Sequence, residues 1–596
     1  MKLFYFVSRI GAPFGVGVLL FQILLKRRRS KEAYKRKTTF VLQNARIEVE
    51  NVVAISSISG LKELKDTLQN GITALRVATH VQSVCCNDSS LCYVPPLLFT
   101  LHSLKHLDLS RCSLTTLPFS ISQLVGLERL AVAGNHLTCL PSEIGDLKAL
   151  TTLDASVNKL TKLPVELCKL PHLQVLNVMG NKISALPEDV GRLTSLRILG
   201  LKSNLLTHLP SSFTHLNSLV ELFLTDNKIT EFPEGFGQLS SLVKLQASFN
   251  ELRNLPEELG NLPKLELMRV AVCSISQLPA SIISTAMGNC EASLDELAAG
   301  ASCLWSNLAW FSLGGNLACR QMPKPRPDVV SIAMEDIQLL NEKLGDGASG
   351  EVLRASYQGR EVAVKSFRSD VSPDGRTAEE VAIACHVDHP NLTRVLATVQ
   401  SAGQTSAPNS VAAVIAVVME IYNGAPLAAK PTSEHLLRCK WDPNKSISCG
   451  YAHKVALGVS SALAYLHGLF ICHGDVYAHN ILVDTAGKAI VCDFGASFCY
   501  EEGQRGFWQS MEVRAFGLFL QDLINQVSLE NPIFSLGRKE EEAALQAGMD
   551  GPALVEQLKS LAKWCLCLVP AARPSFSELE TALAAQLPHN AITQTA

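Results

Sequence analysis

At 596 residues the chain exceeds the size of one ordinary domain, so two or more are expected. A formal net charge of −2 with 18% charged residues provides no overall field for nucleic acid, and 47% hydrophobic content with regular leucine spacing excludes a disordered chain. The 18 cysteines are scattered, several in apolar strand-like runs such as Leu137-Thr138-Cys139-Leu140, which reads as buried free thiols in a reducing compartment.

In chain order, Ile10–Leu25 is an uncharged, mainly apolar run, followed at once by eight Lys/Arg between Lys26 and Lys37. Extended upstream to Leu3, with Arg9 reaching toward the interface, the run is long enough for a transmembrane or signal-anchor helix over residues 3–25. A cleaved signal peptide and a peripheral helix are the alternatives. Against the first, basic residues 26–37 follow where small cleavage-site residues are needed. The basic flank places everything after it on the cytosolic side, without saying which membrane. Residues 38–80 are read as capping structure of unassigned form.

From Leu104 the pattern L-x-x-L-x-L-x-x-N-x-L-x-x-L-P returns every 23 residues. The first leucine recurs from Leu104 to Leu265, asparagines stand at 135, 158, 181, 204, 227 and 250, and Cys112 and Cys273 take that place at the ends. Leucines at period two on a short strand point inward, each Asn can satisfy backbone groups of its own and the adjacent coil, and stacked units share one core. This pattern resembles leucine-rich repeats. Regular units span 104–287, and the region extends over 81–318. Val81, Val84, Leu91, Val94 and Pro95 read as a degenerate first unit. Leu308, Phe311, Leu313 and Asn316 read as a last unit after an insertion over Ile282 to Asn307. Val175, Met179, Ile198 and Phe223 are expected on the concave face as an apolar protein-binding patch, flanked by Glu221, Lys202, Lys244 and Arg269. Ordinary repeat drift is the alternative.

Residues 319–334 contain Pro323-Lys324-Pro325-Arg326-Pro327, a stiff linker with no apolar run, so the flanking domains share one compartment. After it, Gly345-Asp346-Gly347-Ala348-Ser349-Gly350-Glu351-Val352 lies between strand-like segments, and glycines there let a backbone close over phosphates. Ala363 and Lys365 follow on a strand, then Glu380, nine residues before His389-Pro390-Asn391. An apolar strand ends in Met419-Glu420-Ile421-Tyr422, and Tyr451–Gly468 has helical periodicity. Asp475, Asn480 and Asp493 then stand out as two carboxylates and an amide on turns, a set suited to Mg²⁺-nucleotide phosphoryl transfer.

Together, in this order, these segments resemble the protein kinase family over residues 335–586, with a tail at 587–596. The closing Cys567–Phe576 stretch is similar to that of tyrosine-kinase-like members. The resemblance implies a bilobal α+β domain following an LRR solenoid (an α/β horseshoe), in a multidomain chain with an N-terminal anchor helix. It implies ATP and Mg²⁺ as cofactors, and contacts to ATP from Gly345, Gly347, Gly350, Val352, Ala363, Lys365, Met419, Glu420 and Tyr422. Glu380 is implied as the Lys365 partner, Asp475 as the residue that orients or deprotonates the acceptor, and Asn480 and Asp493 as Mg²⁺ ligands.

The chain departs from the family at three places. Gly474 replaces the family's arginine and Tyr477 its Lys, Ala or Arg in the catalytic loop, and only sixteen residues separate Gly495 from Glu512, with no Ala-Pro-Glu motif. Bacterial leucine-rich-repeat kinases show a similar catalytic loop; so do aminoglycoside- and choline-type kinases. The expectation is a membrane-anchored cytosolic kinase that phosphorylates Ser/Thr of a protein recruited by the repeats, in signalling. A nucleotide-binding pseudokinase scaffold, a small-molecule phosphotransferase and a pure adaptor are the alternatives. Ser497, Tyr500 and Ser510 are candidate phosphosites, and Glu501, Glu502 or Glu512 candidate partners of Arg573.

Overall fold

The computed structural model describes residues 38–42, 45–49 and 83–85, then 92–280, 305–400, 414–528 and 551–585, apart from positions 95, 101, 348, 373 and 433–435. The apolar run 3–25 and the basic flank 26–37 lie outside the described residues. Among the described residues no helix is long and apolar enough to cross a membrane. The chain divides into two compact units, residues 1–229 with 233–239, and residues 230–232 with 240–596. Repeats from Ser240 onward therefore cluster with the C-terminal domain.

The first unit opens with β1 (Thr38–Leu42) and β2 (Ala45–Val49), an antiparallel hairpin, and β2 pairs antiparallel with β3 (Ser83–Cys85). From β3 onward the pairing is parallel. Val84 faces Leu107 of β4 (His106–Asp108), the spacing of one repeat, so β3 pairs with β4 in the register of the regular units. One three-residue strand per repeat follows: β5 (Arg129–Ala131), β6 (Thr152–Asp154), β7 (Val175–Asn177), β8 (Ile198–Gly200) and β9 (Glu221–Phe223).

Pro118, Pro141, Pro164, Pro210 and Pro256 stand in an extended conformation at the start of the return path. Pro118, Pro141 and Pro164 precede 3₁₀ turns at Phe119–Gln123, Ser142–Asp146 and Val165–Lys169, and each proline carbonyl accepts the first turn bond. The asparagines act as expected. Asn158 donates to Val132 O at 2.9 Å and Ala155 O at 3.1 Å and accepts from Leu137 N at 3.0 Å, tying its own unit to the one before.

In the second unit β10 (Lys244–Gln246), β11 (Leu267–Arg269) and β12 (Trp310–Ser312) continue the parallel pattern, with Leu267 opposite Trp310 and Arg269 opposite Ser312. Leu308, Phe311 and Leu313 are buried, and Asn316 donates to Val270 O and Leu313 O at 2.7 Å, closing the last repeat. The insertion before it falls mostly at 281–304, outside the described residues.

The remaining chain forms a six-stranded sheet and a helical part. The sheet order is β13 (Val330–Ile332), β19 (Val395–Gln400), β20 (Val414–Glu420), β16 (Arg360–Phe367), β15 (Gly350–Tyr357), β14 (Ile337–Asp346). A small hairpin, β17 (Val371–Ser372) and β18 (Gly375–Arg376), leads into helix α1 (Thr377–His386). Short strands β21 (Ala425–Pro426), β22 (Ile471–Cys472), β23 (Ile481–Val483), β24 (Ala489–Val491) and β25 (Phe498–Cys499) frame the turns that carry Asp475 and Asp493. Helix α2 (Cys449–Gly468) is capped by Ser448, whose hydroxyl accepts from Tyr451 N. Helix α3 (Arg505–Ile524) is buried on most of its surface, α4 (Gly551–Cys565) packs against it and against α2, and α5 (Phe576–Ala584) packs against α2.

Leu267, Ala309 and Trp310 share one hydrophobic core with α1, α2 and α3. The proline-rich connection packs against α1: Arg326 N donates to Cys385 O at 2.9 Å, and His386 Nδ1 lies 2.8 Å from Lys324 O. All cysteines among the described residues are free, and Cys139 is exposed rather than buried as its apolar neighbours suggested.

Candidate active site

The site is assembled where the sheet meets the helical part. Gly345 lies opposite Val352, Val352 opposite Lys365, and Ala363 opposite Met419, so these three pairings carry most of the residues assigned to nucleotide contact. The glycine turn is closed by Gly347 N donating to Gly350 O at 2.8 Å. A Cβ on Gly350 would meet Ser366 O at 2.1 Å, so the sheet itself demands glycine there. Gly345 and Gly347 face no such crowding, their nearest atoms being at 3.9 and 3.7 Å, which leaves their backbone open to an approaching group. Glu420 N is engaged by Arg394 O at 3.0 Å and its carboxylate by Arg394, and the Tyr422 hydroxyl donates to Lys488 O at 2.6 Å. At these two residues only remaining backbone groups are left to meet a base.

Lys365 Nζ is ion-paired with Glu380 and lies 3.2 Å from Asp493 Oδ1. Strand β16, helix α1 and the turn after β24 thus bring together residues fifteen and 128 positions apart. Burial opposes the Lys365 charge, but Asp493 and Glu380 together hold its ammonium well above the ordinary lysine range. Asp493 is half-buried, and although desolvation raises its carboxyl, Lys365 and the Gly495 N–H keep it below the ordinary range. At Glu380 burial outweighs the pull of Lys365, and the neighbouring Asp493 charge adds to it, so that carboxyl is raised. One cation between two carboxylates leaves an excess negative charge.

Asp475 sits on the turn after β22. Its Oδ2 accepts from Asn480 Nδ2 at 2.8 Å, and its backbone N–H approaches His473 Nδ1 at 3.3 Å. The Asn480 amide and the Asp493 carboxylate are hard oxygen donors of the kind Mg²⁺ takes. Among the described residues no cluster of three or more acidic, His or Cys donors could hold a metal alone. The pair therefore fits an ion that brings further oxygen ligands with it, as a nucleotide-bound Mg²⁺ does.

The two unusual loop residues have structural partners in the last repeat. Gly474 has φ +77°, and a Cβ there would meet Ala496 O at 2.6 Å and Phe311 O at 2.7 Å. Tyr477 stacks on Trp310 with centroids 4.5 Å apart and planes 6° apart, and Trp310 Nε1 donates to Val476 O at 3.1 Å. Phe311 packs on Trp508 and Phe498, and Trp305 on Phe507, so an aromatic cluster joins the last repeat to the short segment after Gly495. Gly474→Ala should cost about 1–3 kcal/mol from the left-handed backbone alone, with the two carbonyl clashes adding to it. Denaturant unfolding measures this, and a neutral result would mean that the loop can retreat from β12.

Below the loop, Glu512 of α3 accepts from Gly474 N at 2.7 Å, His473 N at 3.2 Å and His467 Nε2 at 2.8 Å. Against the effect of burial, His467 and these neighbours hold its carboxyl below the ordinary range. Glu512 is thus the brace of the catalytic-loop turn rather than a partner of Arg573, which donates to Cys567 O and Ser510 O. The candidate phosphosites are buried. Ser497 donates to His473 O, the Tyr500 hydroxyl lies 2.7 Å from His467 Nδ1, and Ser510 donates to Phe507 O inside α3.

In the first unit Val175 and Ile198 face each other across β7 and β8, and Phe223 follows Gly200 in the same row. Met179 folds over Gly200, where a Cβ would lie 2.7 Å from its terminal methyl. All four are half-buried rather than exposed. Arg269, expected on the rim of that patch, is instead buried in the second unit, ion-paired with Asp374 and 2.7 Å from Asp475 Oδ1. Sequence reasoning missed this contact, along with Asp374, Trp310 and the Glu512 brace. One signal was available: two of the five tryptophans stand at 305 and 310, a crowding no repeat needs.

The family model described as the protein kinase domain matches residues 339–518, and those described as a leucine-rich repeat region and Leucine Rich Repeat match 165–277 and 103–124. A Dictyostelium discoideum "Probable serine/threonine-protein kinase" is 36% identical over 28% of this chain and 9% of its own length. A second from that organism, kinX, is 26% identical over 42% and 24% respectively. The mouse megakaryocyte-associated tyrosine-protein kinase is 26% identical over 42% and 49%. The chain thus spans half or less of each of these relatives.

Proposed function

We propose that this chain, which joins leucine-rich repeats to a protein kinase domain of the kind found in serine/threonine and tyrosine kinases, transfers the γ-phosphoryl group of Mg²⁺-bound ATP to serine or threonine of a protein. The observation that carries this reading is the pairing of Lys365 with both Glu380 and Asp493, beside Asp475 hydrogen-bonded to Asn480. ATP supplies the phosphoryl group and Mg²⁺ the neutralising charge on its oxygens. Lys365 orients the phosphates, the Gly345–Gly350 turn covers them with backbone N–H groups, and Asn480 and Asp493 hold the metal. Asp475 orients the acceptor hydroxyl and takes its proton as the new O–P bond forms and the bond to ADP breaks.

The half-buried patch of Val175, Met179, Ile198 and Phe223 is the proposed docking face for the protein substrate. The apolar run 3–25 with its basic flank is the proposed anchor, leaving both domains in the cytosol in a signalling role. Membrane extraction of the full chain against one starting at Thr38 tests the anchor; equal solubility would sink it.

A second reading is favoured by the last repeat packing on the catalytic loop: a nucleotide-binding scaffold without transfer. The full chain with Mg²⁺-ATP, scored for phosphate on itself and on generic protein acceptors, separates the two. The transfer reading expects Asp475→Asn to lower turnover about 10²–10⁴-fold with ATP binding retained. Wild-type chain that binds ATP and transfers nothing supports the scaffold.

A further inference from the structure

We infer that Arg269, the last strand residue of a leucine-rich repeat, is a positioning residue of the kinase catalytic loop. Its guanidinium fixes the Asp475 carboxylate and places there the positive charge that the loop itself lacks. The inference rests on the phosphotransfer reading above.

Residues 473–480, His-Gly-Asp-Val-Tyr-Ala-His-Asn, contain no Lys or Arg. Lys365 is committed to Glu380 and Asp493 on the nucleotide side. The loop position where a basic residue could reach Asp475 holds Tyr477, whose ring is stacked under Trp310. The cation on Asp475 is therefore Arg269, at 2.7 Å from Oδ1. Arginine stays charged at any working pH, so this charge is permanent. Negative charge gathers where the acceptor oxygen meets the transferring phosphoryl group, and a fixed cation in a buried site is worth most at that point.

The carboxylate is held from two sides, Arg269 on Oδ1 and Asn480 on Oδ2. Each oxygen can accept more than one hydrogen bond, so an acceptor hydroxyl can still be received. Arg269 is itself mounted rigidly. Strand β11 pairs with β12, Arg269 opposite Ser312, and the Ser312 hydroxyl donates to Asp374 O while the Asp374 carboxylate takes the second guanidinium nitrogen. Trp310 and Phe311 dock the repeat on the loop through contacts of their own, so the strand has anchors that do not depend on Arg269. The glycine at 474 admits the Phe311 carbonyl that this docking brings in.

The test compares full-length wild type with Arg269→Ala, Arg269→Lys and Asp374→Asn for Mg²⁺-ATP affinity and for turnover on a generic protein acceptor. Arg269→Ala is expected to lose about 10²–10³-fold in kcat, the usual effect of one such electrostatic donor, with ATP affinity little changed. Arg269→Lys should recover part of the loss, millimolar guanidinium should partly rescue Arg269→Ala, and Asp374→Asn should give a smaller loss. Retained ATP affinity shows that a variant is folded; should Arg269→Ala not fold, Arg269→Lys and Asp374→Asn carry the comparison. Variants as active as wild type would overturn the inference and leave the kinase reading standing. Variants more active than wild type would also overturn it, making the contact a latch on Asp475. Wild type that binds ATP without transfer would sink the kinase reading, and this inference with it.

Discussion

Replacing Lys365 by methionine is expected to destabilise the second unit by about 3–5 kcal/mol, the usual cost of removing one partner from a buried ion pair. The methionine fills the aliphatic stem but leaves Glu380 and Asp493 facing each other without a cation. The lysine and Glu380 side chains are only 12% and 6% exposed, so solvent screens little of the change. The effect depends on pH in a defined direction. Glu380 is already raised above 4.5 by burial and by Asp493, and losing Lys365 raises it further. A carboxyl raised in the folded state binds protons that the unfolded chain releases, so its stability contribution falls as pH rises above 4.5 through the folded value. The deficit of Lys365→Met against wild type should therefore shrink as pH is lowered from 8 towards 5. Urea unfolding across that range measures it. A deficit that grows on acidification would mean that Glu380 is not the uncompensated group. ATP affinity should fall in the same variant, since the phosphate-facing ammonium is gone.

The second large effect is expected at Trp310, although it belongs to a repeat and touches neither phosphate nor metal in the proposed mechanism. Trp310 is 2% exposed, stacks on Tyr477, donates to Val476 O, and has the Arg438 guanidinium 5.9 Å from its ring centroid. Trp310→Ala should cost about 3–5 kcal/mol, as for other large aromatic truncations in a core. Beyond that loss, the stack holding residues 476 and 477 disappears, so amides of the catalytic loop should exchange faster than those of α2. Trp310→Phe keeps the stack and loses only the indole hydrogen bond, and should recover most of the stability. Hydrogen exchange that speeds up uniformly across the second unit would show that Trp310 contributes only core volume.

Both predictions show how the parts became legible to different degrees. The repeats could be read residue by residue, because a 23-residue period repeats one local solution: leucines inward, asparagine to the coil, proline into the 3₁₀ turn. Lys365, Glu380, Asp475, Asn480 and Asp493 could be named because the motifs that carry them, at these spacings, resemble those of the protein kinase family. Arg269 could not. It occupies the strand position that carries Gln246 one repeat earlier, and nothing local separates a solvent-facing side chain there from one aimed at Asp475. Ser497, Tyr500 and Ser510, candidate phosphosites by their place in the short segment, are likewise buried for a reason that the segment itself does not carry. The aromatic cluster of Phe311, Phe498 and Trp508 closes over that segment, and its members are scattered across nearly two hundred residues.

The amino-acid sequence alone determined the two architectures, the order of the segments and the identity of the groups around Lys365 and Asp475, because local periodicity and short-range spacing encode those. Tertiary structure alone decided why Gly474 and Tyr477 stand where they do. A glycine is required by a carbonyl of β12 more than 160 residues earlier in the chain, and the tyrosine by the ring of Trp310. Such requirements arise from the close packing of distant surfaces, and a surface exists only once both elements have folded.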